Sequence, residues 1–284
     1  MFFALTSASG APGVSTTALG LALSSPSDRV LFVEADPVGS SPVHAGYLHS
    51  AREAFDRRGD RSLINLVDPA RRGQISSAFA EQAVPLPGSD VWVIPGLKRT
   101  IQADAMTSTW APLGAHLSGL SRRGATVIVD AGRLGHRSGP DDLIRQADLI
   151  AIVTRPTLTA LSALHGSLEV LRARLEATKA PAAIGLILIG NTPYTAAEVT
   201  KTVNLDVITT IPDSPLHAKV FSEGAELTAF RRTRSTYLRS LRNSWPRLGS
   251  YIDGHRPEWV NAPRYTPALT AGSASSLTPG GIHA

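Results

Sequence analysis

Ser9-Gly10-Ala11-Pro12-Gly13-Val14-Ser15-Thr16-Thr17 follows the apolar run Phe2-Phe3-Ala4-Leu5 and leads into Ala18-Leu19-Gly20-Leu21-Ala22-Leu23. Apolar run, Gly/Pro/Ser turn and second apolar run read as a buried strand, a tight turn and a buried helix. Such a turn points several backbone N–H groups at one spot, and the helix start adds the positive end of its dipole. Together they make a phosphate site out of backbone. The full phosphate-loop pattern is G-x-x-x-x-G-K-[ST]. Gly13 fits its second glycine and Ser15 its Mg²⁺-binding hydroxyl, but Ala8 stands at the first glycine and Val14 at the lysine. The stretch has the shape of a phosphate loop without its charge. Read alone, it is also compatible with an ordinary strand–turn–helix connection.

Moving outward, Arg29–Pro37 is a second apolar strand ending in Glu34 and Asp36, two acids that share a face. Further strands read at Asp90–Gly96, Thr126–Asp130, Asp148–Thr154, Ile184–Asn191 and Val207–Asp213. Helices read at Ser50–Arg58, Ser62–Arg72, Ala78–Ala83, Trp110–Arg123 and Thr157–Thr178, and Gly132–Gly139 reads as a loop carrying Arg133, His136 and Arg137. Continuous apolar strands alternating with helices predict an α/β fold, with a mostly parallel sheet of about seven to eight strands and helices on both faces. Ligands in such sheets sit beyond the carboxyl ends of the strands. Ser15, Glu34, Asp36, Asp130, Asn191 and Asp213 all fall there.

Composition narrows the class. The chain has 284 residues, 43% of them hydrophobic, and no cysteine. Disulfides and thiolate metal sites are excluded, which fits a cytoplasmic setting. The short N-terminal apolar run has no basic residue before it and does not read as a signal peptide. No apolar stretch reaches the roughly 18 residues of a membrane-spanning helix. Net charge is +5, carried mostly by arginine. The eight histidines show no metal-ligand spacing and read as structural or exposed.

On these motifs the chain resembles the ParA/MinD family of nucleotide-dependent positioning ATPases, over roughly residues 1–226. The family's loop, K-G-G-x-G-K-T-T-T, aligned through Ala18-Leu19, falls on Ser9–Thr17. The strand ending in Asp-Pro matches Val30–Pro37, the Walker B strand Val127–Asp130, the late Asn Asn191, and the Ile-Pro segment over the base Ile211-Pro212-Asp213. The resemblance implies ATP or ADP with Mg²⁺. It implies phosphate contacts from Ser9, Gly10, Ala11, Pro12, Gly13, Val14, Ser15 and Thr16, and base contacts from Asn191, Pro212 and Asp213. Ser15, Asp36 and Asp130 would serve Mg²⁺, with Asp36 also orienting water. A homodimer that sandwiches nucleotide and an unidentified protein partner are implied as well.

The departures are specific. Both family lysines are absent, with Ser9 and Val14 in their places. A lost charged hydrogen bond to phosphate costs about 1.5–3 kcal/mol, roughly 10- to 150-fold in affinity. Each lost transition-state donor costs roughly 10²–10³ in rate. The sequence therefore predicts weak nucleotide binding with little or no hydrolysis, in a positioning, partitioning or scaffolding protein. The alternative is a working ATPase with relocated charge, from Arg133 or Lys98-Arg99. A third reading is a dinucleotide-dependent oxidoreductase, with Gly10 and Gly13 after a strand and Glu34 ending the next one.

Composition changes after Glu226. Phe230–Trp245 reads as a basic amphipathic helix with Phe230, Tyr237, Leu238, Leu241 and Trp245 on its stripe and Pro246 as its stop. Arg231, Arg232, Arg234, Arg239 and Arg242 lie mostly off the stripe. They can meet DNA phosphates, an anionic membrane, or only water while the stripe packs on the sheet. The expected organisation is a domain over 1–228, this helix over 229–253, and a disordered Pro/Ser/Thr/Gly-rich tail over 254–284. Localisation is expected to be cytoplasmic, with nucleoid or membrane association following the helix's partner.

Overall fold

A computed structural model describes residues 1–10, 13–38, 41–49, 60–180 and 182–255. The helix expected over Ser50–Arg58, loop residues Ala11 and Pro12, and nearly all of the expected tail lie outside the described residues.

Among the described residues the apolar runs become one sheet of eight strands: β1 (Phe2–Ser7), β2 (Val30–Glu34), β3 (Val84–Pro85), β4 (Val91–Ile94), β5 (Thr126–Arg133), β6 (Leu149–Thr154), β7 (Ala183–Ile189) and β8 (Val207–Ile211). Their spatial order is β3-β4-β2-β5-β1-β6-β7-β8. Every pairing is parallel except β3 with β4. A parallel strand covered on both faces has no reason to alternate, and β1, β2 and β6 are buried at every position. The sequence reading missed β3 because two residues, one of them proline, leave no periodic signal. Proline is tolerated there because β3 is an edge strand.

One face is covered by α2 (Ile75–Gln82), α3 (Trp110–Arg122), α4 (Leu158–Thr178) and α5 (Ala196–Val203), whose buried side chains meet Phe2, Leu31, Val129 and Ile152. The other is covered by α1 (Val14–Leu23), α6 (Pro215–Ser222) and α7 (Thr236–His255), packed on Phe3, Leu5, Phe32 and Ile128. Thr157 caps α4, its side chain accepting from the Ala160 amide. Thr195 and Glu198 form a capping box on α5. The expected helix Ser62–Arg72 is a tight turn, Leu63–Leu66, running into a short helix, Val67–Arg71.

The C-terminal segment departs from the sequence reading in three ways. It is two helices, Ala229–Arg234 and α7, broken at Ser235, whose ψ of 114° is extended. Phe230, expected on the stripe, is 64% exposed, with the Arg234 guanidinium 4.3 Å above its ring. Pro246 does not stop α7, which continues to His255. Pro246 is exposed, so water can serve the carbonyl that its missing N–H leaves unpaired. Beyond it Leu248 and Ile252 are buried, and the Tyr251 hydroxyl donates to the Ile184 carbonyl at 2.7 Å. That packing outweighs the proline's local preference.

The rest of the stripe does pack on the sheet. Leu241 is fully buried and close to Gly20 of α1, while Trp245 meets Phe3 edge-on at 5.4 Å. Truncating such a side chain loses transfer energy and leaves a cavity. Leu241→Ala is therefore expected to destabilise the whole domain by about 2–5 kcal/mol in a denaturant titration. An unchanged midpoint would mean that α7 is an independent arm.

Candidate functional site: a cleft beyond the strand ends

The site is built by the pairing of β1 with β5. Their register runs from Phe2 opposite Val127 to Leu5 opposite Asp130, then shifts by one residue so that Ser7 faces Arg133. The chain leaves β1 at Ser7 and turns back into α1. Gly13, at φ 97°, opens that helix in the left-handed region that glycine enters without strain. The first intrahelical bond is from the Thr17 amide to the Gly13 carbonyl, 2.9 Å. The amides of Val14, Ser15 and Thr16 have no carbonyl four residues back within the helix and open its N-terminus to an anion. Val14, at the lysine's place, is 7% exposed and belongs to the core layer under α1.

These residues line a cleft of about 450 Å³ with Ser7, Ser9, Gly10, Gly13, Ser15, Thr16, Asp36, Val38, Gly132 and Arg133 on its walls. Its volume lies in the range of small-molecule sites. A Cβ on Gly10 or Gly13 would meet nothing within 4 Å, so the cradle is open. A second hollow, about 220 Å³, lies between Leu134-Gly135 and α4; two of its charged walls, Arg174 and Asp141, are already paired with each other.

Three carboxylates approach the cleft in three different states. Asp130 is 1% exposed, and burial raises its pKa from 3.8 to about 6 against the pull of the Ser15 hydroxyl and the Gly132 amide, with nearby Asp36 raising it further. Its Oδ1 accepts from the Gly132 amide at 3.0 Å. Its Oδ2 is buried and, among the described residues, has no partner that satisfies hydrogen-bond geometry, although the Ser15 hydroxyl is close enough to favour the charged form. Asp36 turns back to accept from the Val38 amide at 2.9 Å and lies against the Gly132 backbone. A Cβ on Gly132 would come within 2.4 Å of the Asp36 Cγ, so only glycine fits there, and its φ of 62° requires the same.

Glu34 behaves differently. It accepts from the Ser41 hydroxyl, from the Val43 amide at 2.9 Å and from the Gly96 amide at 3.2 Å. Burial raises its pKa to about 7, opposed by those three bonds. Glu34 thus ties the loops after β2 and β4 together beneath the cleft. Its carboxylate is consumed inside the protein and offers nothing to a ribose hydroxyl, which removes the structural support for the oxidoreductase reading.

The residues that the resemblance assigns to the base lie beyond β7 and β8. Asn191 is exposed, and the neighbouring Gly190 sits against Asp213, 3.5 Å from a Cβ built on it to the Asp213 Cβ. Pro212 leads into Asp213, whose carboxylate pairs with both terminal nitrogens of Arg155, Nη2 at 3.2 Å. Arg155 follows β6 and was not singled out in the sequence; no spacing rule links it to Asp213, because the pairing depends on strand order. Of the alternative cations, Lys98 is paired with Asp60 and lies off the cleft walls, while Arg133 lies on them.

The orphaned Asp130 Oδ2, the Ser15 hydroxyl and the Asp36 carboxylate form an all-oxygen set of the kind a hard divalent cation takes. The open glycine turn beside them suits phosphate. The residues present fit Mg²⁺ with a phosphate group.

No protein-family model matches the sequence, and no curated protein matches it. Solved structures do. A ParA-family ATPase from Chlorobium tepidum TLS superposes with a TM-score of 0.65 at 17% identity, over 85% of this chain and 96% of that one. The septum site-determining protein MinD from Pyrococcus horikoshii OT3, complexed with Mg-ADP, gives 0.62 at 16%, over 85% and 93%. Cyanothece McdA in an ATP complex gives 0.62 at 19%, over 87% and 95%.

The chain has the ParA/MinD fold.

At such identities the likeness is one of fold. Within that ParA/MinD frame the cleft lies where β1 and β5 end side by side.

The raised pKa values make stability depend on pH with a definite sign. Glu34 and Asp130 hold protons more tightly folded than unfolded, so their contribution is full below about pH 4 and is lost as pH rises through about 6 for Asp130 and about 7 for Glu34. Asp130→Asn keeps the Oδ1 acceptor for Gly132 and removes the ionisation. Without Mg²⁺ or nucleotide, the variant should exceed wild type in stability at pH 7.5 by about 1–3 kcal/mol, the difference vanishing near pH 4. Denaturant midpoints across that range would show it; parallel curves would mean that Asp130 titrates normally.

Proposed function

We propose that this chain is a ParA/MinD-like positioning or scaffolding protein with a degenerate phosphate loop, holding ATP or ADP with Mg²⁺ weakly and hydrolysing it slowly or not at all. The observation that carries this reading is the cleft itself. The start of α1, Ser15 and Asp36 line it, with the Asp130 carboxylate buried behind Ser15 and Gly132 and a buried valine where the loop's lysine would stand. The Mg-ADP and ATP complexes of structural neighbours support the ligand class.

In this reading Ser9, Gly10, Gly13 and the first turn of α1 bind phosphate through backbone, and Ser15 and Asp130 hold Mg²⁺. Asp36, fixed by Val38 and Gly132, orients water, while Asn191, Pro212 and Asp213 form the base end. Mg²⁺ supplies charge neutralisation on the phosphates when bound. The family's transition-state lysines are missing, and each such loss removes roughly 10²–10³ in rate.

The same reading includes a homodimer, an unidentified protein partner, and a cytoplasmic protein associated with the nucleoid. Buried Tyr237, Leu241, Trp245, Leu248 and Ile252 leave α7 without a free apolar face to lay on lipid. Exposed Arg239 and Arg242 on α7, with Arg231 and Arg234 before it, favour DNA phosphates through charge alone. The Arg232 side chain lies outside the described part.

Calorimetry with Mg²⁺ and ATP or ADP, beside a turnover assay, tests the reading. Binding with no steady turnover is expected. No binding at millimolar nucleotide would overturn the reading, and steady turnover abolished by Asp36→Ala would replace it with a working ATPase. For the DNA surface, Arg239→Ala with Arg242→Ala should weaken duplex binding and lower the slope of log K against log salt by about 2, roughly one per phosphate contact. An unchanged slope would remove α7 from the interface.

A further inference from the structure

We propose that Arg133 is the phosphate-binding cation of this cleft, reaching the ligand from β5 in place of the lysine that α1 lacks; this rests on the nucleotide reading above. Alternation along a strand would put Arg133 on the face opposite Asp130, since the two are three residues apart. Asp130 pairs with Leu5 on the α1 face, while Ala131 belongs to the core layer of the opposite face. The register shift between Leu5 and Ser7 changes this. Three steps along β5, from Asp130 to Arg133, match two along β1, from Leu5 to Ser7. An extra residue of this kind re-aims the side chains that follow it. Gly132, at φ 62°, accommodates it, and Arg133 arrives opposite Ser7 on the cleft wall with Ser9 and Gly13.

The mounting is firm. The Thr6 hydroxyl donates to the Gly132 carbonyl at 3.1 Å, and the Leu134 amide donates to the Ser7 carbonyl at 2.8 Å. These bonds pin the backbone on both sides of Arg133 to the end of β1, which is also the root of the phosphate loop. The guanidinium is free for a ligand: Arg133 is exposed and forms no ion pair among the described residues, unlike Arg145, Arg155, Arg174 and Lys98. A planar guanidinium suits two oxygens of a phosphate chain.

The charge balance defines the ligand. Arg133 and Asp36 line the cleft, and the carboxylate of Asp130 is buried behind two further wall residues, Ser15 and Gly132. A bare polyphosphate meets more negative than positive charge, and a divalent cation reverses that. The ligand class is therefore a Mg²⁺-complexed di- or triphosphate, with little affinity for the metal-free form.

The test is calorimetry on the full chain with MgATP and with inorganic tripolyphosphate plus Mg²⁺. Arg133→Ala should weaken both by the same factor, about 10- to 150-fold, and Arg133→Lys should recover part of the loss. Arg137→Ala, the same charge change at an exposed position off the cleft wall, should change neither. Wild-type affinity in Arg133→Ala, or equal losses in the Arg133 and Arg137 variants, would overturn the assignment while leaving the nucleotide reading intact. A wild-type chain that binds neither ligand would overturn the nucleotide reading and this proposal with it.

Discussion

The parallel pairing of β1 with β5 is the constraint on which the site depends. It places the ends of two strands side by side at the carboxyl edge of the sheet, one leading into α1 and one ending at Arg133. Both strands are central and buried, so the register cannot slip without moving apolar side chains between the two core layers. The single shift near Thr6 is thus a fixed feature of the rim. It lets Gly132 turn, leaves room for Asp36 against the Gly132 backbone, and presents Arg133 beside the loop.

Rigidity of this kind carries a local cost. Asp130 is almost fully buried, one of its oxygens has only the Ser15 hydroxyl near it among the described residues, and Asp36 is near enough to oppose its charge. A buried carboxylate without a full set of donors is unfavourable, and a bound cation would offset the penalty. Glu34 is the contrast. It is equally buried, but its oxygens accept from Ser41, Val43 and Gly96, so its burial holds two loops in place. The two acids are paired in register, Glu34 at the end of β2 and Asp130 within β5, and they differ in the number of donors that meet them.

Most of the fold was legible because its strands are continuous apolar runs bounded by Gly, Pro and acids. That signal needs no knowledge of neighbours, and the class of acid-tipped parallel strands followed from it. Legibility ended where spatial order decides the outcome. The pairing of Arg155 with Asp213 joins residues 58 apart across the ends of β6 and β8. Glu34 looked available to a ligand because its three donors come from loops after two different strands. Pro246 reads locally as a stop, yet the burial of Leu248 and Ile252 carries the helix past it. Phe230 fitted the stripe only if the helix was continuous, and the extended Ser235 rotates it out.

Val14 ties these points together. At this position the family resemblance calls for a cation, and a lysine at the first turn of α1 would have to leave the layer that contains Phe3, Leu5 and Leu19. Valine instead fills that layer, so this position contributes packing and no charge to the loop. The opposite wall changes in the other sense. The shift in β5 turns a side chain that alternation would send to the far core layer into the cleft, and that side chain is arginine. A cation carried on β5 is pinned to the sheet through Thr6 and Ser7, whereas one carried on α1 would move with the helix. On the proposed assignment the loop and β5 would divide between them what a single lysine-bearing loop does alone: backbone amides on one wall would give shape, and a guanidinium on a pinned backbone would give charge on the other.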